Sequence, residues 1–152
     1  MKITIVIVDG MGGGIGAQLI TRLREVWPKE DRDGAEIVAL GSNAAATERM
    51  LKAGADRGAS GENALRVSVG LGDYILGPVG IVIGNSMMGE ISPAMAQAVL
   101  DAPGERILLP LQQEHFHIAG LEPLPLARLI DRSVDILKEQ IKERGRHENT
   151  AL

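Results

Sequence analysis

Five of the seven residues from 10 to 16 are glycine: Gly10, Gly12, Gly13, Gly14 and Gly16, with Met11 and Ile15 between them. They follow the β-branched run 3–8 (ITIVIV) and Asp9, and they precede a stretch in which Ile15, Leu19, Leu23 and Val26 recur at helical spacing. A strand that turns sharply into a helix uses glycine for positive φ, for close approach of backbone to a ligand, and for tight packing of the helix on the sheet. The unpaired N–H groups at the start of the helix then favour an anion, typically phosphate. Residues 10–16 are therefore the first candidate for holding a phosphate-bearing small molecule, a nucleotide or dinucleotide. The plain alternative is a turn built for compact packing alone.

The spacing Gly10-x-x-x-Gly14-x-Gly16 resembles the glycine pattern of short-chain dehydrogenases more closely than a simple G-x-G-x-x-G, and without a following Lys it is no Walker A loop. NAD(P) or another nucleotide suits such a loop, but the partners of a dinucleotide enzyme are mostly missing. The acidic ribose reader belongs after the second strand, where this chain has Gly41, Ser42 and Asn43, with no Arg before Arg49. A catalytic Tyr-x-x-x-Lys is absent, since Pro78 stands four residues after Tyr74.

In an open parallel sheet the ligand lies outside the carboxyl ends of the strands. That edge is expected to carry Ser42, Asn43 and Pro78 beside the glycine loop, with Asn85, Ser86 and Glu90 on the same side. Ser42 or Asn43 has the alternative role of capping the second helix, and 85–90 that of a plain turn. Glu62 follows Gly61, where a carboxylate complements a helix dipole or touches a ligand. Glu114, His115 and His117 form the one histidine cluster; alternation would place both imidazoles on one strand face, a spacing a metal could use, though a solvated edge strand is the simpler reading, so no metal site is assigned. No Ser–His–Asp order stands out, and no catalytic residue or reaction follows from the residues.

Composition narrows the classes further. Twenty Asp+Glu against sixteen Lys+Arg leave a net charge of −4 with the basic residues scattered, which gives no concentrated face for nucleic-acid phosphates. Trp27, Tyr74 and Phe116 are the only aromatics, too few for a stacking platform. The absence of cysteine removes disulfides, thiolate metal sites and cysteine nucleophiles. The run 3–8 is too short for a signal peptide and ends at Asp9. The longest apolar stretch, 74–84, is broken by Pro78 and falls short of a membrane span. A cytoplasmic protein with no membrane contact is the expectation.

The elements that must position these residues alternate. Strands are expected over 3–8, 36–40, 73–76, 106–111 and 115–121, with a short one near 55–59. Helices are expected from Ile15 to the stop at Pro28, over 43–53 with Gly54 just past its end, near 62–69, from the Ser92-Pro93 start to about Asp101, and from Pro125 onward with Leu126, Ile130, Val134, Leu137 and Ile141 on one face. Pairs such as Arg128–Asp131, Arg132–Asp135 and Glu139–Lys142 lace the outer side of that last helix. Strands recurring about every 30 residues with helices between them give the βαβ rhythm of a three-layer α/β domain with a mainly parallel sheet. Residues 1–144 form one such domain in this reading, and 145–152 a polar, frayed tail. The second apolar stretch, 79–83, together with Met87 and Met88, exceeds what one fourth strand buries, and points to a homodimer that encloses the ligand.

Three segments, VDGMGGGIG (8–16), ALGSNAAATERMLKAGADRGASGENA (39–64) and GPVGIVIGNSMMGEISPAMAQA (77–98), resemble a family of small bacterial hypothetical proteins known only as a domain of unknown function. The likeness runs from about Lys2 to the final helix, with 112–117 less typical of the family. It implies a Rossmann-like fold and brings no activity, substrate or catalytic residue with it. Against the ligand-binding reading stand two others: a non-catalytic interaction or regulatory subunit with a degenerate nucleotide site, and a small enzyme using Glu62, Glu90 or His117 as acid or base.

Overall fold

The computed structural model describes residues 2–31, 33–111 and 117–152. Strand β1 (Ile3–Asp9) leads into helix α1 (Gly14–Val26), and β2 (Ala35–Gly41) into α2 (Ala44–Lys52). Next come β3 (Arg57–Ser60), α3 (Glu62–Ser68) with a 3-10 turn over Val69–Leu71, and β4 (Tyr74–Pro78) with a 3-10 turn over Val79–Val82. Helix α4 (Pro93–Asp101), β5 (Glu105–Leu109) and α5 (Leu126–Thr150) complete the order. All strand pairs are parallel, in the order β3-β2-β1-β4-β5. The fold is a three-layer, Rossmann-like α/β sandwich.

Alternation along the strands sets the layers. Ile5 and Ile7 of β1 pack into a core with Leu19, Ile20 and Leu23 of α1, Met50 of α2, and Ile130, Val134 and Leu137 of α5. Val6 and Val8 face the other way, onto Leu65 of α3, Val69, Ile81, and Met95 and Val99 of α4. Every side chain from Ile5 to Val8 is fully buried, which is why this run is continuously apolar and not alternating. Arg24 fastens the far side of this layer: it donates to Gly54 O and forms an ion pair with Asp56 at 2.7 Å.

Several local expectations hold in detail. Asn43 caps α2 by accepting from Ala46 N at 2.8 Å, Ser92 caps α4 by accepting from Met95 N at 3.1 Å, and Gly54 turns the chain at φ 122°. Others are corrected. Residues 117–121 form a turn and irregular chain with no strand, and His115 lies outside the described residues. Helix α5 continues through Thr150, so 145–150 are helical and not a frayed tail. Asp131 is held by Arg22 of α1 at 3.0 Å, and Arg132 reaches Glu139 at 3.9 Å. Of the stretch 79–83, Gly80 and Ile81 are buried in the chain's own core, while Val79, Val82 and Ile83 are half-buried. Among the described residues no helix is long and apolar enough to cross a membrane.

Candidate functional site

The strand order places β1 and β4 side by side while their crossovers leave in opposite directions, so a crevice opens at their carboxyl ends. A cleft of about 430 Å³ lies there, within the range that holds a small ligand. The glycine loop from Gly10 to Gly14 forms one wall together with Asp9, Ile15 and Gln18. Pro78 at the end of β4 and Gly80 in the 3-10 turn that follows, with Met87, Leu111 and Leu126, supply an apolar opposite wall. A larger cleft, about 660 Å³, sits at the amino-terminal edge of the sheet around Asp73, Glu105, Arg144 and His147, far from the loop's amides. There the Arg144 guanidinium spans Asp73 and Glu148, a structural ion pair network.

The loop itself is unusual in what occupies its donors. Asp9, 3% exposed, turns its carboxylate back onto the loop and accepts from Gly10 N and Gly16 N, each at 2.8 Å. Burial pushes the Asp9 carboxyl above its ordinary range, against the opposing pull of the Gly16, Gly10 and Ile15 amides and of Arg49. The deepest donors of the α1 amino terminus are therefore already satisfied by the chain's own carboxylate. Among the described residues, the amides of Gly12 and Gly14 have no acceptor. Beside them lies Arg49 of α2, whose Nη1 donates to Gly12 O at 3.4 Å. A Cβ on Gly12 or Gly14 would stand 3.8 or 3.2 Å from the same guanidinium nitrogen.

A second carboxylate, Glu90, accepts from Met11 N at 3.2 Å, Ser42 Oγ at 2.7 Å and Asn43 Nδ2 at 2.5 Å. The Ser42 hydroxyl is the main cause that holds its carboxyl below the usual range. The residues expected from sequence thus divide into two sets. Gly10, Met11, Gly12, Gly13, Gly14, Ile15 and Pro78 line the cleft. Gly16 lies behind them, packed on Met50 and Asp9. Ser42 and Asn43 hold the loop from outside through Glu90, and Asn43 Nδ2 also donates to Met11 O at 2.9 Å. Asn85 and Ser86 brace the neighbouring 83–91 segment, the first through its amide to Ile91 O and the second through its hydroxyl to Gly80 O. Ser92 Oγ donates to Glu62, which joins the starts of α3 and α4. His117 is exposed, and Glu114 lies outside the described residues. Asp9, Arg49 and the apolar wall beyond Pro78 were not foreseen.

The family described as Domain of unknown function (DUF3842) matches residues 4–142, which include every element of the sheet and the whole cleft lining. The chain belongs to this family. No curated protein and no solved structure matches it significantly. The family match brings no chemistry with it, so the reading of the cleft rests on its own residues.

Proposed function

We propose that the protein binds a phosphate-bearing small molecule, a nucleotide or dinucleotide, in the cleft between β1 and β4. The observation that carries this reading is the pairing of two amides without an acceptor among the described residues, Gly12 and Gly14, with the neighbouring Arg49 guanidinium, on a loop that lines a partly apolar cleft at the switch point. Phosphate oxygens accept from backbone N–H groups and from arginine, and the positive end of α1 adds to both. Because Asp9 takes the inner donors, the phosphate lies on the outer side of the loop. The wall of Pro78, Met87, Leu111 and Leu126 takes the apolar part of the ligand. Among the described lining residues Asp9 is the one titratable group, and its carboxylate is taken up by the loop's own amides.

A thermal-shift panel with NAD, NADP, FAD, ATP, GTP and nucleoside monophosphates tests the reading. A ligand present at about a hundred times its Kd adds about 2.7 kcal/mol, or roughly 5–10 °C in Tm for a chain of this size. Gly12→Val puts a branched side chain between the amides and Arg49, and Arg49→Ala removes the charge; each is expected to abolish the shift while leaving the unliganded Tm within a few degrees. No shift with any member overturns the proposal.

The second reading is a non-catalytic interaction subunit, favoured by the two internal carboxylates that occupy loop donors and by Met88, 92% exposed beside the cleft. A homodimer is the partner expected under it. Light scattering decides: a mass near 16.2 kDa at micromolar concentration rejects the dimer.

A further inference from the structure

Met11 is the one non-glycine residue of the glycine loop with positive φ, at 52°. Side chains rarely adopt that left-handed region because Cβ crowds the carbonyl oxygen, so something must hold it there. Both polar groups of the residue are held. Its N–H donates to Glu90 Oε1 at 3.2 Å, and its carbonyl accepts from Asn43 Nδ2 at 2.9 Å. The other hydrogen of Asn43 Nδ2 goes to Glu90 Oε1, and Asn43 Oδ1 is fixed as the cap of α2 through Ala46 N. Ser42 Oγ completes the set of donors on Glu90 at 2.7 Å. One carboxylate, anchored to a helix cap, thus grips the strained peptide that immediately precedes Gly12.

We propose that Glu90 is a positioning residue for the glycine loop: its carboxylate clamps the Met11 peptide in the left-handed conformation that turns the Gly12 and Gly14 amides toward the cleft. The proposal deepens the binding reading, since it concerns the same loop, but its test needs no ligand. Glu90 reaches the loop from the 85–91 segment, where Asn85, Met87 and Met88 also have positive φ and Glu90 N donates to Met87 O at 3.1 Å. Charged groups around the clamp are Asp9 from β1 and Arg49 from α2, which flank the loop, and Glu62 from α3, which is engaged by Ser92. Among the charged groups of the described residues, Asp9 grips Gly10 and Gly16 and Glu90 grips the Met11 N–H, while the neutral Asn43 holds the Met11 carbonyl.

Hydrogen exchange and amide NMR on the full chain test the clamp. Gly13 N donates to Gly10 O at 2.9 Å across Met11, so exchange at Gly13 reports the turn. Glu90→Gln keeps the shape and removes the charge that strengthens the bonds, and it is expected to speed Gly13 exchange about tenfold. Met11→Gly makes the left-handed conformation intrinsic. In that background Glu90→Gln is expected to change Gly13 exchange less than about twofold, since glycine carries no Cβ penalty there. The Met11 amide proton of the parent protein is expected to follow a titration below the usual glutamate range, and to lose it in Glu90→Gln. Unchanged Gly13 exchange in Glu90→Gln, or an equal effect with Met11 and with glycine at 11, overturns the proposal. Orthophosphate binding by the parent protein is measured in parallel; its absence counts against the cleft reading and leaves the clamp to be judged on exchange alone.

Discussion

Gly13→Ala is expected to destabilise the protein by about 2–4 kcal/mol, while Gly12→Ala, one residue away, changes stability by no more than about 0.5 kcal/mol. Gly13 is the residue before α1 and has φ 72°, so any side chain there carries the left-handed penalty of about 1–2 kcal/mol. A Cβ would also stand 2.7 Å from the carbonyl oxygen and 2.8 Å from the Cα of Ala46. Those atoms are backbone of the first turn of α2, so relief requires the whole helix to move, and overpacking of this kind adds about 1–3 kcal/mol. Gly12 has ordinary φ, and among the described residues its Cβ would meet only the tip of Arg49, at 3.8 Å. Urea unfolding of the two variants at neutral pH measures the contrast. Equal midpoints would mean that α1 and α2 do not approach each other through Gly13.

The same two glycines show how far the sequence could be read. Their placement between a buried strand and a helix was legible, because β-branched runs, helical spacing and glycine clusters are local signals. The caps Asn43 and Ser92 and the terminal Gly54 were legible for the same reason: each acts on residues at most four positions away. What distinguishes Gly12 from Gly13 was not, since it depends on where α2 lies. Glu90 and Met11 are 79 residues apart, and Arg49 and Gly12 are 37 apart, so neither contact leaves a mark on either neighbourhood. Asp9 read as the residue that ends an apolar run; its carboxylate folds back on Gly16, which only the turn geometry brings near. Helix α5 was cut short because residues past 144 have no apolar face. The helix continues there with Arg144 bonded to Glu148 one turn on and to Asp73 at the start of β4, polar contacts that periodicity does not register.

Asp9→Asn is expected to destabilise the protein by about 2–4 kcal/mol at neutral pH and to do so more strongly in acid. The parent carboxylate uses both oxygens as acceptors, for Gly10 N and Gly16 N, with Ile15 N close by. Asparagine offers one oxygen and sets an NH₂ against a buried N–H, and each unsatisfied buried donor costs about 1–3 kcal/mol. The pH dependence follows from burial. In the folded protein burial raises the Asp9 carboxyl above its unfolded value, so folding favours the protonated form. The stabilisation from that preference is fully present below the unfolded value of about 3.9 and is lost as pH rises through the folded one. The other carboxyls titrate alike in both proteins and cancel from the difference. The gap in unfolding free energy between parent and variant should therefore widen as pH falls through that window. A gap that narrows on acidification would mean that the three amides outweigh burial and hold Asp9 ionised. At neutral pH the parent keeps a buried charge whose desolvation works against stability, set into the wall of the β1–β4 cleft.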